Sequence, residues 1–388
     1  MPVRYVRVNP LVNLFAPAVR AFGNIAVVGR LPEPVDTLAP KLDTPSDTLA
    51  DPLAETPAAP VPATAFTSPD DAKEAFPGEL GNAIAYAFAQ TPGPSLIYGV
   101  PVDHDEPDWA GALATVAGLN VQIVVFVGTV VDADSVLEGG PIQLLSDHVT
   151  AVSSTGADGG ERIGVAMLPK GSKAAETILS NERMVYVAHN SDQDAAVAVA
   201  GTIAGYEPWV SMLLKPVNIV SPPFSPADVD ALNGDETFRS GPAGKGVNWL
   251  TSPALIPGNG VFLGEGYTGK PESPKRYIDI VRTVDHVSFL LKAQLIGSIG
   301  KVRISRPGLR ALIAQMEAIL GPLVDEGVLN SFEVVVPVLT LLDRDPATLT
   351  AGEAQAIQNA QANRLVEVLA AVKYASAVHR ISISLKFD

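Results

Sequence analysis

Asp103, His104, Asp105 and Glu106 are the residues of this chain best equipped for chemistry. Carboxylates around an imidazole make a metal-ligand set. Consecutive residues seldom converge on one ion, however, and this spacing matches no known ligand pattern. The stretch also lies between Pro101 and Pro107, and it reads as a solvated acidic loop. His148, His189, His286 and His379 are scattered along the chain, and no serine or acid is placed in the sequence to orient any of them as a base. They read as structural. The chain has no cysteine, which removes disulfides, thiolate metal sites and cysteine nucleophiles. No G-x-G-x-x-G follows a strand, and P-loop, G-x-S-x-G and H-E-x-x-H motifs are missing. The expectation is a protein without catalytic residues, metal or cofactor, and therefore not an enzyme.

Composition describes a folded body. The 388 residues are 47% hydrophobic and 18% charged, enough for two to three domains. The most apolar run, beginning at Val121, is far shorter than the ~20 residues of a membrane helix. Pro10, Asn13 and Pro17 interrupt the apolar N-terminus, so the sequence reads as made in the cytoplasm without a signal peptide. Charge is uneven: residues 1–30 carry +4, residues 31–260 carry −20 and residues 261–388 carry +1, within a total of −15. Nine Lys and Arg fall in 270–310, a stretch that taken alone reads as a solvated face. The pI of 4.8 argues against nucleic acid as a partner.

Punctuation along the chain implies alternating strands and helices. Apolar strand-like runs occupy 23–30, 95–102, 121–130, 162–169 and 183–190. Helices are expected after Ser68-Pro69, over 109–119, near 172–180 and over 192–205. Residues 31–64 hold eight prolines and six acids and should form an exposed insertion. At the end of the chain Ile381, Ile383, Leu385 and Phe387 alternate with polar residues, the period of a half-buried strand. Residues alone leave open whether that strand pairs with its own sheet or with another chain's.

The second half carries a resemblance. Gly246-Val247-Asn248, the turn at Gly258 and Gly260, then FLGEGYT and YIDIVRTVDHV, resemble contractile tail-sheath proteins of myophages, R-type pyocins and related injection particles. The stretch from Ser305 to Leu329, then SFEVVVPV and DPATLTAGE, follows the same order, and GNIAVVGR, TSPDDAKEAF and IYGVPV match its opening. Glu265 and Tyr267 depart from the family pattern, and of an expected arginine pair only Arg282 is present. Thr350 and Glu353 open a helix as a capping box. Family order ends that helix near Asn363 and makes RLVEVLAAV a strand.

The resemblance implies an α/β (α+β) fold in which a β/α outer domain is inserted into a smaller α+β inner domain built from both chain ends. Its parts would be an arm over 1–22, an acidic domain over 23–260 including insertion 31–64, an inner domain over 261–378 and a linking strand over 379–388. It implies strand exchange between subunits through Val3, Tyr5, Val6 and Val8 at one end and Ile381, Ile383, Leu385 and Phe387 at the other. It implies structural roles for Gly246, Val247, Asn248 and Arg282, and tube contact through Lys301, Arg303, Arg306 and Arg310. The function implied is that of a virion or extracellular-particle sheath, a helical homo-oligomer around an inner tube that contracts to drive the tube through a membrane. Baseplate and terminator proteins would be the further partners, with no nucleic acid and no membrane insertion by the sheath itself. The rival readings are a β/α enzyme, hydrolytic or nucleotide-binding, with an added β domain, and a non-contractile shell protein.

Overall fold

The computed structural model describes residues 22–32, 62–154, 160–174, 177–234, 244–258 and 260–379. They fall into two compact units, one spanning 22–282 together with His379, the other 283–378. The sequence reading divided the chain at 260/261. The division instead comes at Arg282/Thr283, because the residues just after 260 form a strand of the larger unit's sheet.

The larger unit is built on β1 (Ile25–Arg30), β2 (Thr64–Phe66), β3 (Ile97–Val102), β4 (Ile123–Val130), β5 (Ile163–Met167), β6 (Met184–Ala188), β7 (Pro216–Val217), β8 (Val247–Thr251) and β9 (Val261–Leu263). Their order across the sheet is β2-β3-β1-β4-β5-β6-β8-β9-β7. The run from β3 to β8 is parallel, and β2, β9 and β7 join antiparallel. Such a sheet must be covered on both faces, which explains strands that are apolar throughout. Ile25 and Val27 enter one core with α1 (Pro69–Ala75), α2 (Glu79–Phe88) and α5 (Ala195–Gly205). Ala26 and Val28 enter the other with α3 (Trp109–Ala117), α4 (Pro141–Ser154) and α6 (Pro226–Asn233). Ser68 caps α1, accepting from the Asp70 N–H at 3.3 Å, with Pro69 at the first helical position as the sequence implies.

α5 is buried along almost its whole length, which a helix of alanine, valine and glycine tolerates. Gly201 permits its close approach to α2: a Cβ there would lie 2.6 Å from the Ala87 carbonyl oxygen. Three details differ from the sequence reading. Helices α4 and α6 had no counterpart in it. The helix expected near 172–180 is absent from the described residues of that stretch. There Leu179 exchanges two 3.2 Å hydrogen bonds with the buried Tyr186 hydroxyl, which holds the segment as a loop. Of the 31–64 insertion, residues 33–61 lie outside the described residues, and Thr64 already belongs to β2.

α7 (Ile278–Leu295) carries the chain across the division. The smaller unit then holds α8 (Arg306–Asp325), β10 (Leu329–Val335), α9 (Pro337–Asp343), α10 (Ala351–Asn363) and β11 (Leu369–Tyr374). Its compact core joins Leu309, Val336, Val338 and Leu339 to Ile313, Ile357, Val366 and Val368. The Thr350/Glu353 capping box is present, and α10 stops at Asn363 because Arg364 turns left-handed, with φ 53°. The strand expected from Arg364 begins only at Leu369, since Val366 and Val368 are drawn into the core.

Candidate assembly interface

β10 and β11 form an antiparallel ribbon, with Phe332 opposite Val372 and Val335 opposite Leu369. It is the whole of its sheet among the described residues. Among the described residues each strand has one partner, and a two-stranded ribbon is marginal in water by itself. β11 is exposed from Leu369 to Lys373, including Leu369 at 53% and Val372 at 38%. An exposed apolar strand with unpaired backbone groups is a template for strand addition. The terminal residues expected to exchange between subunits, Val3, Tyr5, Val6, Val8, Ile381, Ile383, Leu385 and Phe387, lie outside the described residues.

The four basic residues singled out from the sequence are all exposed but differ in kind. Arg306 donates to the carbonyl oxygens of Leu342 and Arg344, the end of α9, where the helix dipole favours a cation. Arg310 lies 3.1 Å from Asp343. These two are already engaged within their own unit. Lys301 and Arg303 sit ahead of α8 beside Ile299, which is 78% exposed, with no ion pair among the described residues.

Gly246, Val247, Asn248 and Arg282 all lie in the larger unit. Gly246 takes φ +79° and packs against the Gly269 backbone, where a Cβ would lie 3.1 Å from the nearest atom. Val247 and Asn248 are fully buried. Asn248 Nδ2 donates to the Tyr186 and Tyr267 carbonyls at 3.2 and 2.9 Å, and its Oδ1 accepts the Tyr267 N–H at 2.6 Å. Arg282 donates to the carbonyls of Phe22 and Tyr206 at 3.0 and 2.9 Å.

A rival enzymatic site would sit where the parallel sheet changes direction, between β1 and β4 at their carboxyl ends. A cavity of about 410 Å³ lies nearby, lined by Glu79, Gly128, Lys170, His189, Asp192 and Asp194 among others. Several of its polar groups are engaged within the fold. Asp194 caps α5 through the Val197 N–H and accepts the Gly128 N–H, at 2.9 and 2.8 Å, while burial raises its pKa. His189 is held at both nitrogens, Nε2 by the Leu168 carbonyl and Nδ1 by the Ser191 N–H, and burial lowers its pKa. Lys170 pairs with Asp192. In the 103–106 loop the Asp103 carboxylate accepts the Asp105 and Glu106 N–H groups, which lower its pKa, and His104 meets the Leu31 carbonyl. No cluster of three or more metal-ligand side chains occurs among the described residues, and no helix among them is long and apolar enough to cross a membrane.

One constellation escaped the sequence reading, which found no serine or acid placed to orient a histidine. Ser211 and Glu265 flank the His379 ring on its two nitrogens. They lie 168 and 114 residues from it in sequence, and no local pattern signals their meeting.

Comparison with solved structures agrees with the architecture along the whole chain. A chain from the contracted helical sheath of the anti-feeding prophage matches with a TM-score of 0.64 and 15% identity, covering 100% of this chain and 99% of that one. The fold is that of a contractile sheath protein. A chain from the anti-feeding prophage baseplate structure gives the same values. A chain from the contracted PVC sheath complex, an extracellular contractile injection system, matches with a TM-score of 0.64, 12% identity and coverage of 100% and 98%. No family model and no curated protein sequence matches.

Proposed function

We propose that this chain is a structural, non-catalytic subunit of a contractile sheath. It assembles by exchanging terminal strands with its neighbours into a helical sleeve around an inner tube, and it contracts to drive that tube through a membrane. The observation that carries the reading is the β10–β11 ribbon, two-stranded among the described residues, in a chain of sheath fold. An arm containing Val3, Tyr5, Val6 and Val8 from one neighbour, and a strand containing Ile381, Ile383, Leu385 and Phe387 from another, would complete its sheet. Main-chain hydrogen bonds supply the affinity, and the period-2 side chains fix the register. Such contacts are head-to-tail; combined with a rise they give an open helix and not a closed ring. Contraction then requires two lattices of the same folded subunit that differ modestly in free energy per copy. Lys301 and Arg303 are the cations offered to an acidic tube surface, and baseplate and terminator proteins close the ends of the particle.

Negative-stain microscopy of the purified chain tests this reading. Tubes are expected from the full chain. Removal of 381–388 should abolish them while circular dichroism and cooperative melting stay unchanged. A truncated chain that is unfolded, or one that still forms tubes, refutes the strand-exchange assignment.

A further inference from the structure

We propose that Ser211, Glu265 and His379 form a releasable anchor for the segment that follows β11. Ser211 Oγ lies 2.8 Å from His379 Nε2, and Glu265 Oε2 lies 3.2 Å from its Nδ1. The imidazole is 12% exposed and the carboxylate 7%. The Tyr277 ring meets the imidazole edge-on at 4.7 Å and stacks on Tyr267 at 5.5 Å. Tyr267 is itself fixed by Asn248. Glu265 and Tyr267 are two of the positions at which the sequence departs from the sheath pattern, and both lie in this cluster.

Hydroxyl, imidazole and carboxylate stand in the order of an acyl-transfer triad. The geometry nevertheless suits holding better than catalysis. Ser211 Oγ also accepts the Leu213 N–H at 3.3 Å, and none of the three residues lines the cavity at the sheet edge.

No regular element lies between the end of β11 at Tyr374 and His379, and Val378 is 76% exposed. Ala375 donates to the Val328 carbonyl at 3.1 Å, and after it the chain is next gripped at His379. Release frees residues 376–379, which span roughly 13 Å when extended. Resting on the strand-donation reading, the anchor would thus give the donated strand two lengths of tether, which two lattices of different spacing require.

The test uses the full chain before assembly. Trypsin binds its substrate in extended form, so cleavage after Arg380 requires His379 to detach, whereas cleavage after Lys386 does not. The wild type should be cut slowly after Arg380 relative to Lys386. His379→Phe keeps a ring against Tyr277 but removes both hydrogen bonds. It and Glu265→Gln should each speed cleavage after Arg380 about tenfold or more, the scale of one lost hydrogen bond to a charged group, with cleavage after Lys386 unchanged. Ser211→Ala should give a smaller effect in the same direction. Equal rates at both sites in the wild type, or unchanged rates in the variants, overturn the proposal. Loss of cooperative melting in the variants also overturns it, because the cluster would then belong to the core. A chain that shows the expected cleavage but forms no tubes leaves the anchor standing and rejects the sheath reading alone.

Discussion

Asn248→Leu is the sharpest probe of how the sheath-type body is held. The side chain is fully buried, and leucine has similar volume, so the change removes hydrogen bonds and leaves no large cavity. Three bonds are lost: the Tyr267 N–H forfeits its 2.6 Å acceptor, and the Tyr186 and Tyr267 carbonyls forfeit donors at 3.2 and 2.9 Å. An orphaned buried N–H costs about 1–3 kcal/mol, and each weakened carbonyl about 0.5–1.5 kcal/mol. The sum is about 2–6 kcal/mol. Urea unfolding followed by tryptophan fluorescence, with Trp249 buried in the same core, should show the midpoint falling by roughly 1–3 M for a slope of about 2–3 kcal/mol/M. A loss below about 1 kcal/mol would refute the reasoning, since water or backbone would then be replacing the asparagine.

Two further predictions concern charge. Burial, and then the nearby Arg162, lower the His148 pKa from 6.5 to about 4, so the folded state binds fewer protons than the unfolded chain between those values. Stability should therefore be full above pH 6.5 and fall as pH drops toward 4, by about 2 kcal/mol once part exposure is discounted. His148→Gln should flatten the profile, leaving a residual slope in the same direction from His189; an unchanged slope rejects the assignment. In the tube-contact reading, Lys301→Glu with Arg303→Glu should leave melting unaltered and prevent sleeve formation on an acidic tube, an attraction also screened at 1 M salt, where the Debye length is about 3 Å. Arg306→Glu with Arg310→Glu should instead lower the melting temperature of the smaller unit, because both already serve Asp343 and the end of α9; normal sleeves with the first pair of changes would remove Lys301 and Arg303 from the interface.

Much of the fold was legible because its signals are local. Ser68-Pro69, the Thr350/Glu353 box and the apolar runs of β1, β3, β4, β5 and β6 depend on residues within a few positions of one another. The errors came where distant partners outweigh local preference. Val366 and Val368 alternate like a strand yet are taken by the small core, so β11 starts later. Residues near 172–180 look helical, but the Tyr186 hydroxyl pins Leu179 in a loop.

The candidate site divides along the same line. The sequence by itself determined a β/α body with buried strands, the capping box that opens the helix at Thr350, and the period-2 pattern of residues 381–387, since each follows from local side-chain chemistry and the burial of one face; the end of that helix near Asn363 came only from the family resemblance. Tertiary structure alone decided that β10 and β11 pair as a ribbon, two-stranded among the described residues, that Arg306 and Arg310 are occupied while Lys301 and Arg303 face solvent, and that Ser211, Glu265 and His379 meet. Side chains more than a hundred residues apart carry no trace of one another in local periodicity. Only packing of the whole chain brings such a hydroxyl, carboxylate and imidazole within hydrogen-bond distance.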